Sequence, residues 1–271
     1  MTALHTLTAA FETAKAQNRA ALIGYLPAGF PSVKGARAAL EAMVEGGPDG
    51  GVDILEIGLP YSDPLMDGPV IQEAVQTALE RGVRITDVLE TAAALSQQVA
   101  TVIMTYWNPV EAYGVERFAE ALSDGGVAGL ITPDLVPDEA AHWIAAAAKY
   151  ELDPVFLVAP SSSEERLRLV TDVTQGFLYA ASTMGVTGVR SSIGSAASDL
   201  VARIRKVTEK PIGVGLGVSN RAQAAEVAGY ADGVIVGSAF VRALIDAPTE
   251  ADGIRAVREL AGELAAGVRH R

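Results

Sequence analysis

The chain has 271 residues, no cysteine and three histidines, and its 21 basic against 33 acidic side chains leave a formal charge of −12. Disulfides, thiolate catalysis and cysteine-based metal sites are excluded, and His5, His142 and His270 offer little for a histidine-rich centre, so no metal site is expected. The acidic balance argues against nucleic acid and anionic membrane surfaces as partners, both of which call for a basic face.

From the N-terminus, residues 1–19 are mixed and polar, without a basic region leading into an apolar stretch. The alanine-rich run 140–148 falls far short of the roughly 20 apolar residues of a membrane span. The expectation is a soluble cytoplasmic protein. Short β-rich runs then recur at 21–26, 53–58, 102–106, 129–132, 155–158, 177–180, 212–216 and 233–236. They show little period-two alternation, as expected of strands covered on both faces of a parallel sheet. Amphipathic, alanine-rich stretches alternate with them, at 33–45, 71–81, 88–99, 115–122, 139–150, 164–173, 197–207 and 222–228. Eight β-then-α units within about 250 residues fit a single (β/α)₈ TIM barrel over 1–271 with extra helices, in preference to an open doubly wound sheet. The glycine-rich stretch 46–51 separates a helix from the next strand and is read as a loop at the bottom of the barrel.

Barrel active sites lie at the C-terminal ends of the strands. After the second run the chain reads LEIGLPYSDPLMDG over 55–68. Glu56 interrupts an apolar strand, and burying a carboxylate is costly unless it is paired, protonated or facing a wet cavity. A buried carboxyl also has a raised pKa, which suits acid–base work near neutral pH. Asp67 follows on a loop punctuated by glycine and proline, so that two carboxyls occupy different environments and can divide acid and base roles. A structural ion pair for Glu56 and turn or capping roles for Asp63 and Asp67 remain open on the same residues.

Three later loops are glycine-rich: 184–188, 213–219 and 236–239. Glycine lets backbone N–H groups approach an anion, and a helix starting at Ser238 would point its positive end at one. Phosphate in barrels is often held by the loops after strands seven and eight. The spacing is not that of a dinucleotide fingerprint, and tight strand packing is the alternative reading of 213–217.

The stretch 55–68 closely resembles the signature of tryptophan synthase alpha subunits. The likeness continues through Met104-Thr105-Tyr106-Trp107-Asn108-Pro109, Pro133-Asp134-Leu135-Val136-Pro137, Pro160-Ser161-Ser162, Gly185-Val186-Thr187-Gly188, Gly215-Leu216-Gly217-Val218-Ser219 and Gly237-Ser238-Ala239. The resemblance implies a TIM barrel that splits indole-3-glycerol phosphate into indole and glyceraldehyde 3-phosphate. It implies no metal or organic cofactor in this chain, and a pyridoxal-phosphate-bearing beta subunit as partner in an α₂β₂ assembly. It places the catalytic carboxyls on Glu56 and Asp67, and an orienting tyrosine on Tyr179. Tyr25, Tyr106, Ile131 and Leu157 then wall the indole pocket, and each is equally compatible with a core position. Thr187 lies on a loop that closes over substrate, and the phosphate rests on Gly188, Gly217, Gly237 and Ser238. Thr183, Met66 and the length of the 46–51 loop depart from other members. The rivals are another phosphate-binding barrel enzyme and a catalytically silent binding barrel. An indole-glycerol-phosphate synthase needs a strand lysine that the eight runs lack. With a net charge of −12 and an anionic substrate, long-range attraction cannot capture the ligand, so local amides must hold it.

Overall fold

The structure is a computed structural model, and it describes residues 5–181 and 195–269. Nine strands run in parallel: β1 (Ala21–Pro27), β2 (Ile54–Gly58), β3 (Ala100–Met104), β4 (Gly129–Ile131), β5 (Asp153–Val155), β6 (Leu157–Val158), β7 (Leu178–Ala181), β8 (Ile212–Gly215) and β9 (Gly233–Val236). Their order is β5-β4-β3-β2-β1-β9-β8-β7-β6, so β1 pairs with β9 and the ring runs round to β5 and β6. These two strands are consecutive in the chain, separated only by Phe156. The eight expected strands are therefore nine, because the fifth is broken. Its ladder to β4 runs out where Thr132 N–H reaches the Val155 carbonyl at 3.5 Å, and pairing passes to the other side where Tyr179 N–H donates to Phe156 at 3.2 Å.

The helices are α1 (Leu7–Ala16), α2 (Val33–Glu45), α3 (Pro69–Glu80), α4 (Ile85–Leu95), α5 (Trp107–Tyr113), α6 (Val115–Asp124), α7 (Ala141–Lys149), α8 (Glu164–Val173), α9 (Ser195–Ile204), α10 (Arg221–Ala228), α11 (Ser238–Ile245) and α12 (Glu250–Val268). The strand β1 is buried at every position, because the barrel interior covers one face and helices the other. Two cores follow. Residues such as Leu22, Leu26, Leu55 and Ile57 pack outward under the helices, while Ile23, Ile54, Val102, Ile131, Val155 and Ile235 fill the barrel.

The polar-looking N-terminus holds a helix that the hydrophobic pattern did not reveal. Thr6 caps α1 by accepting from Ala9 N–H at 3.1 Å, and Leu7, Phe11 and Ala14 make one apolar stripe. That stripe belongs to the inner core, with the Phe11 ring 5.5 Å from Phe177, so α1 closes the N-terminal end of the barrel. At the same end Arg19 binds Asp53 through two bonds of 2.6 Å, and Asp53 also accepts from Leu22 N–H at 2.8 Å. This bidentate pair ties the starts of β1 and β2 together. The 46–51 loop lies between α2 and β2, as expected, pinned by mutual bonds between Gly47 and Gly50 and packed against Gly262 of α12. With one end plugged, chemistry is left to the C-terminal mouth.

Candidate active site

Glu56 sits in the middle of β2, in register with Tyr25 on β1 and Val102 on β3. That register turns its side chain into the barrel, where it is 1% exposed. Its Oε2 has no hydrogen-bond partner among the described residues, which leaves the cost of burying a charge on that oxygen uncompensated. Burial, and secondly the charge of Asp67, push the Glu56 carboxyl up to about 8. The structural ion pair considered for Glu56 is absent among the described residues.

Asp67 reaches the same region from the loop after β2. The loop is folded by its own turns: Leu65 N–H donates to Asp63 O at 2.9 Å and Asp67 N–H to Pro64 O at 3.2 Å. Gln72 of α3 then holds the Asp67 carbonyl at 2.8 Å, and Pro69 at the first turn of α3 ends the loop. Asp67 is 8% exposed, and burial raises its carboxyl to about 6, with a hydrogen bond from Tyr106 pulling the other way. The two carboxyls thus differ in both partners and basicity, and the charge of Asp67 adds to the rise at Glu56. Asp63, by contrast, is exposed and accepts from Ser62 Oγ at 2.6 Å, a local contact that fits the turn role.

Tyr106 shapes the loop that carries Asp67. Its hydroxyl accepts from Met66 N–H at 2.9 Å and donates to Asp67, so one phenol sets both the backbone and the side chain of the loop. Tyr61 packs on it at 5.4 Å between ring centroids. Tyr106 itself is held by its position before α5, whose first N–H (Trp107) is accepted by the Asp134 carboxylate at 2.9 and 3.1 Å. Neither contact is visible in the sequence, since both join segments far apart along the chain. Tyr25, Tyr61, Asp67, Thr105 and Tyr106 line a common crevice, and the buried Thr105 hydroxyl has no partner among the described residues.

On the opposite side of the barrel, Tyr179 stands on β7 beside Leu157 of β6. Burial first, then Glu56 and Asp67, raise its hydroxyl well above the usual phenol range, which puts it within electrostatic reach of both carboxyls. Ile131 is fully buried in the inner core, and Leu157 is half-buried against it. Gly217 follows β8 with φ +73, a left-handed turn that glycine adopts without strain. Gly237 precedes α11, and Ser238 is its buried first residue, so the expected helix start is in place with its N–H groups at the mouth. Thr187 and Gly188, with Thr183, lie outside the described residues. No group of three or more histidine, cysteine, aspartate or glutamate side chains that could hold a metal ion occurs among the described residues. No helix among them is long and apolar enough to cross a membrane.

A nearly closed parallel barrel, plugged below and carrying two buried carboxyls of unequal basicity beside glycine turns, is the frame of a (β/α)₈ barrel enzyme. Comparison with known proteins narrows this. The family model described as tryptophan synthase alpha chain matches residues 11–269. The tryptophan synthase alpha chain of Streptomyces avermitilis is 57% identical over 258 residues, covering 94% of this chain and 92% of the relative. That of Mycobacterium tuberculosis is 55% identical over 260 residues, covering 96% and 93%. Among solved structures, tryptophan synthase from M. tuberculosis superposes with a TM-score of 0.91 at 54% identity over 98% of both chains. A tryptophan synthase complex from Pyrococcus furiosus gives 0.80 at 32% identity, over 90% of this chain and 98% of that one. The chain belongs to the tryptophan synthase alpha chain family.

Proposed function

We propose that Glu56 and Asp67 carry the cleavage of indole-3-glycerol phosphate to indole and glyceraldehyde 3-phosphate, the lyase step of an alpha subunit in tryptophan biosynthesis. The observation that carries the assignment is the difference between two neighbouring carboxyls: Glu56 raised to about 8 and Asp67 to about 6. Between these values Glu56 holds a proton while Asp67 is ionised, the pairing that the reaction needs.

The chemistry is a retro-aldol cleavage. Indole is a poor leaving group until ring carbon C3 is protonated. The Glu56 carboxylic acid delivers that proton, giving an indolenine that accepts the electron pair of the breaking C–C bond. The Glu56 carboxylate then takes the proton of the side-chain hydroxyl as the aldehyde forms, which returns it to its starting state. Asp67 accepts a hydrogen bond from the ring N–H and stabilises the positive charge growing there. Tyr106 keeps Asp67 aimed, and Tyr179 orients the substrate from the far wall. Tyr25, Ile131 and Leu157 contribute apolar surface to the indole pocket. The phosphate is held by amides of Gly188, Gly217 and Gly237 and by Ser238, at the N-terminus of α11.

The chain works as one TIM-barrel domain over 1–271, in the cytoplasm, with a beta subunit in an α₂β₂ assembly. Pyridoxal phosphate belongs to that partner, and the lyase step itself needs no cofactor. The solved relatives support the pairing, since they are described as tryptophan synthase and as a tryptophan synthase complex. Purified protein is expected to release indole from indole-3-glycerol phosphate, slowly alone and faster with a beta subunit. No indole in either condition would refute the lyase reading, and separate elution of the two chains on size exclusion would refute the partner.

A further inference from the structure

Gly58 ends β2, two residues beyond Glu56, in regular register with Pro27 and Met104. Its φ is not in the left-handed region, so the backbone there does not demand glycine. The demand is for space. A Cβ on Gly58 would stand 2.4 Å from the Tyr25 hydroxyl oxygen and 2.8 Å from both Cε2 and Cζ of the ring. Tyr25 therefore leans diagonally from β1 across the end of β2, with its hydroxyl lodged where a side chain is missing.

The ring cannot simply retreat from an intruding methyl. On its other flank Gly237 lies so close that a Cβ there would be 3.0 Å from Tyr25 Cδ1 and 3.3 Å from its Cβ. Tyr25 is only 7% exposed, and the face left open to it is the crevice shared with Asp67, Thr105 and Tyr106. A displaced ring must move into that crevice. Close-packed surroundings offer it no alternative void.

We propose that Gly58 is a specificity-determining residue for the aromatic end of the substrate: its missing side chain is the recess that receives the Tyr25 hydroxyl and keeps the ring out of the pocket. The inference rests on the reading that the indole enters this crevice. Gly58 itself touches no reacting atom and acts through Tyr25.

The test compares Gly58→Ala with Gly58→Ala/Tyr25→Phe in the full chain with its beta subunit. Affinity for a non-cleavable indole-propyl phosphate is measured by calorimetry, beside kcat, KM and the pH profile for indole-3-glycerol phosphate. Gly58→Ala is expected to weaken the analogue and raise KM about tenfold or more, with the pH limbs in place, and removing the hydroxyl in the double variant to recover part of that loss, since the ring carbons Cε2 and Cζ still meet the methyl at 2.8 Å. Unchanged affinity in Gly58→Ala, a double variant no better than the single, or a kcat loss with shifted pH limbs at constant KM overturns the proposal. Where Gly58→Ala alone does not fold, Tyr25→Phe carries the test. The emptied recess is then expected to raise affinity for a ring-methylated analogue relative to the parent, and an unchanged ratio refutes it. A native protein that binds the analogue but releases no indole refutes the lyase reading alone.

Discussion

Glu56→Gln separates the energetic cost of the carboxyl proposed as catalytic from its chemical use. Burial raises the Glu56 carboxyl from 4.5 to about 8, so between these values the folded chain keeps a proton that the unfolded chain has lost. The folded state binds the extra proton, so this contribution to stability is fully present below about pH 4.5 and is lost as pH rises to about 8. Asp67 and Asp153 are also raised by burial, but only to about 6, so their contributions are complete by then. From about pH 6 to about pH 8 the remaining slope belongs to Glu56. At about 1.4 kcal/mol per pH unit, it comes to roughly 3 kcal/mol. Glu56→Gln, which does not titrate, is expected to lack this loss and to be more stable than the native chain at about pH 8 while falling in turnover by about 10²–10⁴. Urea unfolding at the two pH values, with indole release measured on the same samples, checks both. Parallel pH dependence of the native and Glu56→Gln midpoints would refute the claim that Glu56 is an unpaired buried acid. Normal turnover would refute its role in catalysis.

The pH profile of kcat/KM is expected to be a bell, its acid limb near about 6 from Asp67 and its basic limb near about 8 from Glu56; Asp67→Asn should remove the acid limb from whatever activity survives. Tyr106→Phe deletes the donor that pulls the Asp67 carboxyl down and the acceptor of Met66 N–H, so the acid limb should move upward and kcat fall by about tenfold, an effect of one lost buried hydrogen bond. An unmoved limb would separate Tyr106 from Asp67. Phe11→Ala, at the barrel plug and far from the mouth, is expected to cost about 3–5 kcal/mol in chemical unfolding while kcat per folded molecule stays the same.

The alternation of short unpatterned apolar runs with amphipathic stretches made the barrel legible, because strands buried on both faces need apolar residues throughout. The inward aim of Glu56 could be read from a charge in such a run, and the start of α11 from Gly237 and Ser238. What was lost lay in segments whose role depends on partners far along the chain. The helix α1 reads as polar until Leu7, Phe11 and Ala14 are set against the barrel floor. The break at Phe156 arises because pairing changes sides there, which no local pattern records.

The fold class is legible along the chain itself, as are the residues offered for the site: a parallel barrel, no thiol chemistry, one carboxyl within the second strand and another on the loop after it, glycine turns at the last strands. These follow from composition and from short-range periodicity, which act through the chain's own geometry. Only the tertiary structure decided which carboxyl is the stronger base and which phenol aims the other. Desolvation and hydrogen bonding are properties of the surroundings: Tyr106 meets Met66 and Asp67 across 40 positions of sequence, and Tyr25 meets Gly58 across two strands. The glycine that looked like a strand end is, in space, the recess for a tyrosine hydroxyl.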